Sequence, residues 1–134
     1  MTRRIQLALG LDLLSILLFA IVGRLSHQES VLGAPLTALP FLIGAGLGWY
    51  VVRSRSGLDA DTVGPGLTVW VFTVVIGLVL RAVTGGGIAA SFMVVTLVIL
   101  GILMIGWRAA AERWLPAGFG AETPAASEDQ DVDA

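Results

Sequence analysis

IQLALGLDLLSILLFAIV, residues 5–22, is the stretch whose reading decides the fold. Its eighteen residues carry a single charge, Asp12, and a run of that length crosses the ~30 Å hydrocarbon core of a bilayer as a helix. A carboxylate at mid-membrane costs roughly 2.5 to 3.5 kcal/mol on insertion scales, which makes Asp12 a functional-site hypothesis by default. Arg3 and Arg4 precede the stretch and Arg24 follows it. The basic start resembles a signal n-region. Asp12 interrupts the would-be signal core, however, and no A-x-A site follows before Arg24, so a retained helix is expected.

The rest of the chain repeats the pattern. Of 134 residues 56% are apolar and only 13% charged, about half the charge of an average soluble domain. The expected fold is all-α: a bundle of four transmembrane helices at about 5–23, 35–52, 65–82 and 88–107, forming one domain over 1–115. Residues 116–134 read as a disordered acidic tail. In helix 1, steps of three or four from Asp12 reach Ser15, Phe19, Gly23 and Ser26 or His27, a polar and small stripe that should face protein. In helix 2, Pro35 suits the first turn and Pro40 lies inside. Gly44 and Gly48 make a G-x-x-x-G for close packing, and Trp49 and Tyr50 before Arg53 and Arg55 read as an aromatic belt. Residues 54–64 read as a solvent loop. Helix 3 aligns Gly66, Trp70, Thr73, Gly77 and Arg81 on one face, Thr84 to Gly87 make a tight reversal, and helix 4 places Phe92, Thr96, Leu103 and Trp107 near one face.

All eight basic residues are arginines. Arg3, Arg4, Arg53, Arg55, Arg108 and Arg113 flank one side of the membrane, and only Arg24 and Arg81 the other. Six against two over short loops predicts both termini in the cytoplasm, with the chain in the cell (plasma) membrane.

Several motifs together resemble the bacterial and archaeal family called domain of unknown function 3054. They are Asp12, Phe19, Gly23-Arg24, Ser26-His27, Pro40-Phe41, Gly48-Trp49, Trp70, Gly77 with Arg81, Gly86-Gly87 with Ser91-Phe92, and Gly106-Trp107-Arg108. The resemblance covers about residues 5–108; its most specific parts are G-R-x-S-H and R-x-x-x-G-G-G. It implies four transmembrane helices and no particular activity.

Two places on the chain invite a functional reading. Asp12 lies ~12 Å inside Arg4, while Arg24 and Arg81 lie ~18 and ~13 Å from its level, too far for a direct salt bridge. At its depth helix 3 offers Thr73 and Trp70 as hydrogen-bond partners, and without a cation burial favours the neutral carboxyl. Asp12 is then either the protonatable group of a small proton- or ion-coupled transporter or channel, or a polar contact holding helices together. At the other end Arg24, His27, Arg81, Ser26 and Thr84 form an outer-face polar cluster. It reads either as a site for an anionic solute or lipid headgroup, or as arginines satisfying helix ends and anchoring the interface. Gly44, Gly48, Gly66 and Gly77 read as helix-packing positions, and a homo-oligomer joined through the Gly44/Gly48 face is expected to enlarge so small a bundle.

An enzyme is not expected. Asp12 and His27 are ~22 Å apart along one helix, and no nucleophile–base pair, cofactor fingerprint or metal-ligand motif is present, with no Cys and one His. A basic soluble surface for nucleic acid is also lacking. Two functions follow: the small transporter or channel, and a non-transporting membrane module for complex assembly or lipid binding.

Overall fold

The computed structural model describes residues 3–114; the acidic tail lies outside them. Four helices fill this range: α1 (Arg3–Ser26), α2 (Ala34–Ser56), α3 (Val63–Val83) and α4 (Ala90–Trp114). Each is long and apolar enough to cross a membrane, and no strand occurs among the described residues. The ends differ from expectation where good helix formers continue past the apolar run. α4 runs through Arg108-Ala109-Ala110-Ala111-Glu112-Arg113 to Trp114 because nothing in that segment breaks a helix. α2 runs to Ser56 and stops at Gly57, whose φ of 63° lets its N–H turn back to the Arg53 carbonyl. Pro35 stands in the first turn of α2 and Pro40 inside it. A 3-10 turn, Val31–Gly33, links α1 to α2, capped by the Ser30 hydroxyl accepting from the Leu32 N–H.

The helices pack as a square in chain order. α1 packs on α2, α2 on α3, α3 on α4 and α4 closes on α1, with no close backbone approach across either diagonal. The tightest edge is α2 against α3, and the glycines cause it. A Cβ on Gly44 would stand 2.7 Å from the Phe72 carbonyl oxygen and 2.9 Å from the Thr73 Cα; one on Gly48 would stand 2.8 Å from the Val69 Cα. The G-x-x-x-G is therefore filled by a helix of the same chain, and the expected homo-oligomer through the Gly44/Gly48 face loses that surface. Gly77 makes room for the Phe41 ring, and Gly66 for the stem of Arg108.

The buried stripe of α1 includes Asp12, Ser15, Ile16 and Phe19, close to the expected one. That of α4 is rotated from it: Thr96, Leu100, Met104 and Arg108 are buried, at strict intervals of four. Toward the α1 C-terminal end, Phe19 meets Phe41 edge-on with ring centroids 5.3 Å apart and leans on Phe92 at 6.3 Å. This aromatic cluster from α1, α2 and α4 separates the two polar ends of the bundle.

The candidate functional site: a closed ion pair and an open cationic corner

Asp12 faces inward from α1 because its neighbours at 13 and 14 are exposed leucines and those at 8, 15 and 16 are buried. Only 2% of its surface is exposed. Its partner is Arg108. The guanidinium meets the carboxylate end-on, Nη1 to Oδ1 and Nη2 to Oδ2, both at 2.7 Å. Two indoles complete the carboxylate's shell: Trp49 Nε1 donates to Oδ2 at 2.9 Å and Trp107 Nε1 to Oδ1 at 3.0 Å. Each oxygen accepts two bonds, and every neighbour in the set is a donor. That is the company of an ionised carboxylate, since a protonated one would need an acceptor.

Arg108 is equally complete. Besides Asp12, its Nε and Nη2 donate to the Ala60 carbonyl at 3.0 and 2.6 Å, and Nη1 donates to the Met104 carbonyl at 2.7 Å. With the two bonds to Asp12, all five N–H donors of the guanidinium are in use. Its carbon lies 4.3 Å from the centroid of the Trp107 ring, a cation–π contact. To reach this position the side chain passes Gly66, where any Cβ would collide with it. The α2–α3 connection is drawn in to supply the Ala60 carbonyl, and Ala60 is fully buried.

This corrects the expected partners of Asp12. Thr73 and Trp70 stand on α3, diagonally opposite α1, and the two backbones do not come close. Thr73 Oγ1 donates to its own helix at the Val69 carbonyl, and the Trp70 indole lies against Gly101 of α4. Nor is residue 54–64 wholly a solvent loop, since Ala60 caps the ion pair from within it. The aromatic belt divides too: Tyr50 is exposed, whereas Trp49 and Trp107 turn their N–H groups inward to Asp12. Around this end Arg4 pairs with Asp61, Arg53 with Asp59, and Glu112 accepts the Val63 N–H at the start of α3.

At the far end the structure brings Arg24, His27 and Arg81 to one pocket of about 140 Å³, shared with Thr37 and floored by Phe19 and Phe92. Arg24 donates to the Ser30 carbonyl at 2.5 Å and to Thr37 Oγ1 at 3.0 Å, and pairs with Glu29 at 3.1 Å. Arg81 donates from Nε to the Gly87 carbonyl at 3.1 Å, and its guanidinium carbon lies 4.4 Å over the Phe92 ring. The remaining two members of the expected cluster sit on its flanks. Ser26 and Thr84 donate to carbonyls of their own helices at Val22 and Leu80; Ser26 lines an adjoining groove and Thr84 a shallow recess beside Arg81.

Four membrane-length helices in a square, pinned at one end by a fully bonded buried ion pair, define a small multi-pass membrane protein. Sequence comparison gives the group: the chain belongs to the family described as Protein of unknown function (DUF3054), whose model matches residues 9–111. That range holds Asp12, Trp49, Trp107 and Arg108 as well as Arg24 and Arg81. No curated protein and no solved structure matches the chain.

Proposed function

We propose that this protein is a non-transporting, non-enzymatic membrane module, with both termini in the cytoplasm of a cell whose plasma membrane it spans. The observation that carries this is the completeness of the Asp12–Arg108 network. A proton- or ion-coupled transporter or channel built on Asp12 needs a carboxyl that exchanges its partner during the cycle. Here each carboxylate oxygen already accepts two bonds and the cation facing it has no donor left. Releasing Asp12 would strand a buried guanidinium, and breaking a buried pair costs about 3–5 kcal/mol. The arrangement favours a permanent pin joining α1, α4 and the α2–α3 connection. The orientation rests on the arginine bias, five (Arg3, Arg4, Arg53, Arg55 and Arg113) against two once the buried Arg108 is set aside.

Proteoliposome flux tests the reading. Wild-type protein is expected to pass protons and monovalent ions no faster than empty liposomes; wild-type flux that disappears in Asp12→Asn would restore the transporter. A reporter fused to the C-terminus is expected inside the cell, and finding it outside would reverse the orientation.

A further inference from the structure

Among the described residues four arginines have a carboxylate partner: Arg4, Arg24, Arg53 and Arg108. Of the other four, Arg3, Arg55 and Arg113 are exposed, whereas Arg81 is half-buried and lines a pocket. A guanidinium partly withdrawn from water with no counter-charge is costly. Of its donors only Nε is engaged by the protein, at Gly87. His27, and Arg24 with its one pairing to the exposed Glu29, stand around the same pocket. The corner is thus built with cationic donors in excess of acceptors.

The pocket shares Phe19, Gly23, His27 and Phe92 with an adjoining groove of about 410 Å³ between α1 and α4, whose deeper walls are Phe19, Val95 and Ile99. From Ser91 to Ile99 the groove follows α4 for ~12 Å, against ~15 Å for half the ~30 Å hydrocarbon thickness, and so most of the depth of one leaflet. A charged head region beside an apolar slot most of a leaflet deep suits an anionic amphiphile. We propose that this corner binds an anionic phospholipid of the adjoining leaflet, its phosphate on the free Arg81 donors and one acyl chain in the α1–α4 groove. The site stands whichever way the chain faces and whether or not it transports anything, so its failure would be separate from that of the reading above.

Native mass spectrometry of the full chain, with dioleoyl phosphatidylglycerol and dioleoyl phosphatidylcholine offered in equal amounts, tests it. Phosphatidylglycerol is expected to be retained about tenfold or more in preference, the scale of a charge-assisted contact. Arg81→Gln should bring the two lipids to near parity, while Arg55→Gln, exposed at the opposite end, should leave the preference intact. Gly23→Leu supplies an independent variant, since a Cβ at Gly23 meets nothing within 4 Å and the new side chain grows into the groove. It should cut retention of phosphatidylglycerol with the melting temperature unchanged. The proposal is overturned if wild type retains both lipids equally, if Arg81→Gln keeps the preference or Arg55→Gln loses it equally, or if Gly23→Leu retains the lipid fully. Displacement of bound lipid by inorganic phosphate alone would likewise overturn it, in favour of a free-anion site.

Discussion

The two ends of the bundle hold arginines inside a membrane protein and treat them oppositely. At the α1 N-terminal end, Arg108 is fully buried with every donor bonded, and its carboxylate partner is saturated in turn. At the α1 C-terminal end, Arg81 is half-buried and bonded to the protein through one nitrogen. The difference teaches that burial alone does not mark a binding site. A buried charge whose bonds are all internal holds the fold together. One with donors left over, beside a cavity, is available to something else.

The comparison breaks most directly at Arg108. Arg108→Ala leaves the Asp12 carboxylate in the interior with only two indole donors, and should destabilise the protein by about 3–5 kcal/mol, measured by reversible unfolding in mixed micelles. The double variant Asp12→Leu/Arg108→Met removes both charges and should regain much of that loss. If the double variant is as unstable as the single one, the network contributes through something other than charge pairing. A smaller change in the same shell is Trp49→Phe, which keeps a large ring and deletes one N–H to Asp12 Oδ2. Hydrogen bonds to charged groups contribute about 1.5–3 kcal/mol, and the loss of unfolding free energy should fall in that range. A double-mutant cycle with Asp12→Asn should show the two changes to be coupled.

Gly44→Ala tests the packing that sets the square. Its Cβ would meet the α3 backbone at Phe72 and Thr73, and such overpacking costs about 1–3 kcal/mol. Gly46→Ala, where the Cβ meets nothing within 4 Å, should instead leave stability within about 0.5 kcal/mol of wild type or raise it slightly. Equal effects at both positions would place the α2–α3 contact elsewhere.

Much of the fold was legible before the structure. The apolar runs announce four spans because eighteen or more such residues have few other uses, and Asp12 stands out because the bilayer makes it costly. Its partner was harder to see. Arg108 follows Gly106-Trp107 at the end of an apolar run, the usual look of a membrane boundary, and only the continuation of α4 through three alanines to Trp114 places it inside. The spacing of Thr96, Leu100, Met104 and Arg108 was the available signal, a buried stripe that ends on a charge instead of stopping before it. Trp49 and Trp107 were ambiguous for a related reason. An indole at a boundary can turn its N–H to water or to a buried acceptor, and the choice depends on how the helix is rotated by its neighbours. The outer cluster could be assembled from helix-end arithmetic, since Arg24 and Arg81 both close helices at one level, but its groove depends on how α4 leans on α1.

The least effect is expected where the open corner has its one internal ion pair. Arg24 meets Glu29 at 3.1 Å, but the Glu29 side chain is 54% exposed, and Arg24 keeps its bonds to the Ser30 carbonyl and Thr37 without it. Exposed pairs contribute about 0–1 kcal/mol and are screened by salt, so Glu29→Gln should shift the unfolding midpoint little, and by less as salt is raised. The same substitution removes the one carboxylate lining the pocket. Retention of phosphatidylglycerol should therefore stay equal or rise while stability barely moves. A fall in both would mean that Glu29 orders the corner as Asp12 orders the other end, and the contrast between the two ends would not hold.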